Sequence, residues 1–267
     1  MNSELREEIK QKLKYSLHRY ISRFEYTGGA QPLDLLIPKE RKIRSVVGGL
    51  ETSMGTTVWE PMVKTLAKAN GFEVVEEKIF KPDPMPAELA NILSLLISAR
   101  ESRTTWVDIE ECKRQMKLAC NSIDRINTDY IRPPAGTGVD IFLKKDDKFY
   151  AFDTKTVQPN LGSIKSFNKQ LLEWYAYSIC KNPDIDISCM IAYPYNPYND
   201  DFWNHSPHNL GVLQPHVDAL VENEFWDFIS GHKDTYSDIV QILTELNDEG
   251  LGKELSALIE KINAPLQ

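Results

Sequence analysis

Residues 138–156 read GVDIFLKKDDKFYAFDTKT, and the fold turns on how this stretch doubles back. Asp146-Asp147, flanked by Lys145 and Lys148, is a candidate two-residue hairpin turn, although Gly at the second place would be the stronger signal. Pairing outward from that turn sets Asp140 opposite Asp153, with β-carbons about 4.5–5.5 Å apart. Side chains alternate along a strand, so Lys155 projects to the same face as Asp153, while Ile141, Leu143 and Phe152 alternate to the other and are candidate core. Like charges placed directly opposite one another destabilise a sheet, so something must offset the repulsion. Two carboxylates at this spacing suit a hard divalent cation, because Mg²⁺ takes oxygen ligands and commonly uses one or two protein carboxylates. The competing reading is a surface hairpin whose acids are solvated and whose Lys155 pairs with one of them.

The remaining 248 positions bound the answer less sharply. A chain of 267 residues with 42% apolar content can bury a substantial core, and one folded unit is expected. Apolar runs such as NILSLLISA end well before the roughly 20 residues of a membrane span. MNSELREEIKQKLKYSLHRYI is charged throughout and does not read as a secretory leader, so the expectation is a soluble cytoplasmic protein. Cys112, Cys120, Cys180 and Cys189 match no zinc spacing and are expected to be packed thiols. The formal charge of −8 is uneven: residues 1–48 hold ten Lys or Arg against six acids, whereas residues 199–267 hold three against thirteen. A basic face toward nucleic acid therefore remains open despite the acidic total.

Helical spacing of Ile9, Leu13, Leu17, Tyr20 and Phe24 predicts an amphipathic helix over Leu5 to Phe24. TGGAQPLDLLIPKERK reads as a loop, and TTVWEPMVKTLAKANGF as a helix capped by Thr56 or Thr57. FEVVEEKIF suits a strand, KPDPMP a turn, and PAELANILSLLISARES and VDIEECKRQMKLACNSI two helices. INTDYIRPPAGTG reads as a loop, SIKSFNKQLLEWYAYSIC as a helix capped by Ser163, and IDISCMIAYPY as a buried strand. Residues 194–215, rich in Pro, Asn, His and aromatics, form a long irregular segment of the kind that often carries function, and the tail from Val217 is expected to be helical and acidic. That order favours an α/β domain built on a mixed sheet and wrapped by extra helices.

The run PAGTGVD, residues 134–140, followed by FDTK, residues 152–155, resembles the PD-(D/E)xK nuclease motif, with Val139 where the motif's proline would stand. Within that superfamily the chain resembles a type II restriction endonuclease, and DTKTVQPN with the following helix is similar to the TdeIII-type group. The resemblance implies a restriction-endonuclease-like mixed central sheet flanked by helices, a core over about residues 50–195 and a C-terminal helical part over about 215–263. It implies that Asp140, Asp153 and the Thr154 carbonyl hold Mg²⁺ and that Lys155 orients or deprotonates a water. A third acid often comes from a preceding helix, where Glu60 is the best match and Glu51 the runner-up, although a glutamate near a helix start is favoured by the dipole in any case. The expected partner is double-stranded DNA, cut by a homodimer at a GGNCC-like site to leave 5′-phosphates, with a companion methyltransferase in the same system. Lys165, Asn168, Lys169 and Gln170 on the following helix, and Lys39, Arg41, Lys42 and Arg44 in a basic loop, are candidate DNA contacts; an ordinary solvated face is the alternative for both. Surface hydrogen bonding is the expectation for His205 and His208. A repair or junction-resolving nuclease of the same chemistry, or a non-catalytic DNA-binding protein, are the other readings.

Overall fold

A computed structural model describes residues 1–26, 32–121, 128–156 and 158–264. The TGGAQ start of the expected TGGAQPLDLLIPKERK loop, the last two residues of the VDIEECKRQMKLACNSI helix with those that follow them to residue 127, and Val157 lie outside the described residues. The chain divides into two compact units, residues 71–225 and a helical unit of residues 1–70 with 226–267.

The 71–225 unit is built on a five-stranded sheet in the order β1-β4-β5-β6-β7: β1 (Glu73–Val74), β4 (Ile141–Lys145), β5 (Lys148–Thr154), β6 (Ile187–Tyr193) and β7 (Ala219–Val221). β4 is antiparallel to β5, whereas β6 and β7 run parallel to it, so the sheet is mixed as the sequence implies. The hairpin forms as its turn predicts: Lys145 pairs with Lys148, and Asp146 and Asp147 both take positive φ, 49° and 63°. Short aspartate side chains tolerate that backbone where a β-branched residue would not.

Helices α4 (Ala87–Arg100), α5 (Ile109–Ala119) and α6 (Leu161–Lys181) pack with the sheet around a core that includes Leu89, Met116, Ala151, Trp174 and Ile191. Phe142 and Ala151 join this core, while Ile141, Leu143 and Phe152 are also buried and Phe152 packs edge-on against Phe225. Both faces of the hairpin are therefore covered. The four cysteines are buried free thiols.

Several local expectations are corrected. KPDPMP is not only a turn: β2 (Lys81–Asp83) pairs antiparallel with β3 (Asp129–Ile131), which falls inside the expected INTDYIRPPAGTG loop. β7 interrupts a tail expected to be helical. The cap of α6 is Asn160, whose side chain accepts the Ser163 N–H at 2.9 Å, rather than Ser163.

In the helical unit, α1 (Ser3–Arg23) buries Leu5, Ile9, Leu13 and Leu17 as its periodicity predicts. The expected basic loop is instead α2 (Pro38–Met54), which runs through Gly48 and Gly49 into a wider turn and then α3 (Glu60–Ala69). Proline is harmless at a helix start, where its missing N–H has no partner to lose. Gly49 is needed because a β-carbon there would stand 2.8 Å from the Tyr20 hydroxyl, which donates to the Val46 carbonyl. Thr57 donates to the Ser53 carbonyl within this continuous run and caps nothing.

The tail continues through α7 (Asn223–Ser230), α8 (Thr235–Asp248) and α9 (Leu251–Asn263). Acids of α8 and of the turn after it answer the basic side of α1: Glu245 meets Arg6 at 2.5 Å and Lys10 at 2.9 Å, and Glu249 meets Lys10 and Lys14, each at 2.7 Å. The basic excess of the N-terminal residues is thus partly neutralised within its own unit. Among the described residues no helix is long and apolar enough to cross a membrane.

Candidate active site

The regular β4–β5 ladder ends at Ile141–Phe152. One residue further, the Asp140 N–H donates to the Phe152 carbonyl at 3.0 Å, a position out of step with the ladder. The Asp140 carboxylate accepts the Thr154 N–H at 2.9 Å. Asp140 is held from behind by Lys78, whose ammonium donates to the Val139 and Asp140 carbonyls at 2.8 and 2.7 Å, while the Trp174 indole N–H donates to the Thr137 carbonyl at 2.8 Å. Lys78 and Trp174 carry no signal in the sequence because each acts on backbone, and a motif records only side chains that meet one another.

Asp153 is the penultimate residue of the central strand and is 3% exposed. Burial pushes its carboxyl up to about 7; Lys155 opposes that rise and Asp140, through repulsion and hydrogen bonding, adds to it. Lys155 Nζ stands 2.7 Å from Asp153 Oδ2 and 5.3 Å from the centre of the Phe167 ring, and the Lys155 N–H is anchored on the Ala192 carbonyl of β6. Two carboxylates and one amine therefore gather at one end of the sheet.

A buried carboxylate crowded by a second acid is a group that a divalent cation would stabilise, and the oxygen donor set matches Mg²⁺ chemistry. Among the described residues no three His, Cys, Asp or Glu side chains converge, so the acids offered here are Asp140 and Asp153. Glu60 opens α3 in the helical unit, where its carboxylate lies 3.7 Å from Lys64, and Glu51 lies on α2 of the same unit.

Beside Lys155 is a small recess lined by Gln158, Pro159, Tyr193, Tyr195, Phe202 and His208. Tyr193 and His208 belong to an aromatic cluster with Tyr198, Phe202 and Trp203 that orders the irregular segment after β6. His205 stacks on Tyr198 at 3.8 Å and hydrogen-bonds Asp200, as expected of a surface histidine. His208 departs from that expectation: it is 4% exposed, its ring 3.9 Å from that of Phe202, and neither ring nitrogen has a hydrogen-bond partner. Burial holds its pKa down to about 4, with repulsion from His205 adding to the effect. The folded state refuses a proton that the unfolded chain accepts below about 6.5, so the stability His208 contributes is present above that pH and is lost as pH falls toward 4, by about 3 kcal/mol. The urea midpoint of the unaltered protein should fall relative to that of His208→Phe as pH is lowered through that window; parallel curves would contradict this account.

The four polar residues proposed along the helix after the hairpin separate into two kinds. Lys165 is half-buried and Lys169 exposed, and they pair with Glu101 at 2.9 Å and Glu173 at 3.8 Å respectively. Asn168 and Gln170 are buried, contrary to an exposed recognition face, because Asn168 falls on the inward stripe of Ile164, Leu171, Leu172 and Tyr175. Its Oδ1 accepts from Arg100 Nε at 2.9 Å in a buried network in which Arg100 also binds Asp218 and the Val107 carbonyl. On α2, Arg41 pairs with Asp34 at 3.2 Å, Lys42 donates to the Ile262 carbonyl at 3.0 Å, and Lys39 and Arg44 are exposed.

The family model described as "Type II restriction endonuclease, HinfI" matches residues 1–247. The chain belongs to that family. The expected type II restriction endonuclease family agrees with this match. The chain is also similar to the type II restriction enzyme MjaII of Methanocaldococcus jannaschii, 23% identical over 207 residues, which cover 74% of this chain and 53% of that enzyme. The chain spans about half the length of this curated relative. The mixed sheet with flanking helices agrees with HinfI-family membership.

Proposed function

We propose that this HinfI-family chain is a single Mg²⁺-dependent endonuclease that cuts double-stranded DNA at a defined sequence. The observation that carries the reading is the buried Asp153 carboxylate at the end of the central strand, with Asp140 beside it and the Lys155 amine 2.7 Å away. Asp140, Asp153 and the Thr154 carbonyl would hold the ion. Bound there, Mg²⁺ would polarise the scissile phosphate and lower the pKa of a water.

Lys155 orients that water, takes up its proton and offsets charge building on the phosphate oxygens. Water adds to phosphorus, the 3′ oxygen leaves with a proton, and the phosphate stays on the 5′ end. Lysine suits this work because its amine can cycle between protonation states, which a guanidinium cannot at usable pH. Lys165 and Lys169 on α6 and Lys39 on α2 are proposed phosphate contacts; the buried Asn168 and Gln170 instead fix the helix that presents the first two.

Two strands cut at a palindromic site imply two active sites related by a twofold, hence a homodimer. The GGNCC-like target rests on the DTKTVQPN resemblance, and a methyltransferase of the same specificity would protect the host. Incubation of the protein with long DNA tests the reading. Reproducible discrete fragments in Mg²⁺, abolished by a chelator, are expected; a smear, structure-dependent nicks or metal-independent cutting would count against it.

A further inference from the structure

Helix α2 presents two unlike sides. Val46 is buried, Gly49 lies against Tyr20 of α1, and Lys42 reaches the Ile262 carbonyl of α9, so that side belongs to the helical unit's own packing. The opposite side carries Glu40, Ile43, Arg44, Val47, Gly48 and Glu51 at spacings of three and four, and these residues line a shallow open depression. Ile43 and Val47 are exposed apolar groups at its centre, and just before the helix Leu35 and Leu36 are 89% and 76% exposed. Neither Arg44 nor Glu51 has an ion pair among the described residues.

The charge order along this stripe is self-complementary. Arg44 and Glu51 are seven residues apart, two helical turns or about 10.5 Å, and both point outward. A second α2 laid antiparallel about a twofold axis between Val47 and Gly48 would set Arg44 opposite Glu51 of the other copy, twice, with Val47 against Gly48 at the crossing. A β-carbon at Gly48 would meet nothing within 4 Å, so the centre of the stripe is open to close approach. The same register places Ile43 beside Thr52 and sets no like charges opposite each other. A twofold interface must be complementary to itself, and this stripe meets that requirement without rearrangement.

We propose that the Glu40–Glu51 face of α2 is the surface on which two copies of this chain associate, antiparallel, with reciprocal Arg44–Glu51 pairs flanking a Val47–Gly48 contact. The assignment rests on the dimeric reading above, and it gives Arg44 to the partner copy rather than to DNA phosphate.

Sedimentation without DNA, from about 1 to about 100 µM protein, tests it with four proteins: unaltered, Arg44→Glu, Glu51→Arg, and the double reversal. The unaltered protein should be a dimer. Each single reversal, at an exposed position that the fold does not need, should weaken dimerisation about tenfold or more, and the double reversal should restore it to within a few-fold, because it recreates both pairs with opposite polarity. A monomeric unaltered protein, a dimer indifferent to the single reversals, or a double reversal no better than the singles would overturn the proposal. The Mg²⁺ cleavage assay run on the same samples separates the two readings: specific cutting by a monomer removes this surface and keeps the nuclease, whereas a responsive dimer that never cuts does the reverse.

Discussion

Lys155→Ala should lower the rate of DNA cleavage by about 10³-fold while leaving DNA affinity within a few-fold of the unaltered protein. The amine stands 2.7 Å from Asp153 and beside Asp140, so in the proposed mechanism its removal would take away both a proton carrier and a positive charge next to the reacting phosphate. In the proposed reading it would be one positive charge among several facing the DNA, so binding should survive. Single-turnover cleavage together with a gel-shift titration checks both halves. A variant that cuts at the normal rate would remove Lys155 from the chemistry; one that loses binding and cutting in parallel would make it a phosphate contact only. Lys155→Arg should recover charge without recovering rate, since arginine holds its proton.

The largest effect on stability is expected at Arg100, which is 1% exposed and bonded to Asp218, Asn168 and the Val107 carbonyl. Asp218 is equally buried and also accepts the Gln214 N–H at 2.6 Å; burial raises its pKa, and Arg100, with the Gln214 N–H, opposes that rise. Arg100→Leu would strand a carboxylate and the Asn168 carbonyl oxygen in the interior, a loss of about 3–5 kcal/mol and a melting point lower by roughly 10 °C. Replacing both partners, Arg100→Met with Asp218→Leu, should recover much of that loss, because the penalty belongs to the stranded charge rather than to the missing bridge. Calorimetry on the three proteins decides it, and a single variant as stable as the unaltered chain would show that the network contributes little. Because Asn168 lies on α6 between Lys165 and Lys169, loosening this network should also cost cleavage in the surviving folded fraction.

The hairpin was legible because three independent signals coincide in it: an Asp-Asp turn, apolar residues at strand period, and charge confined to the far end. What the sequence concealed has physical reasons. β2, β3 and β7 are three residues each, too short for any period to show, and they exist only because a neighbouring strand is already in place. α2 was hidden by Pro38, Gly48 and Gly49, which read as breakers until the first is seen at a helix start and the last against Tyr20. Asn168 and Gln170 looked like an exposed recognition face because polarity stands in for exposure in a linear reading; a buried arginine from α4 reverses that inference, and nothing near Asn168 in the chain announces it. His208 misled in the same way. The two aspartates and the lysine, by contrast, lie within 16 residues of one another, so local strand geometry alone brings them together.

The most direct test of the central claim compares the unaltered protein with Asp153→Asn on long DNA in Mg²⁺. Removing a buried, crowded carboxylate should leave the metal-free fold at least as stable, so lost activity cannot be ascribed to unfolding. Discrete fragments from the unaltered protein and none from a folded Asp153→Asn are the predicted result; equal cutting by both would contradict the assignment of the site.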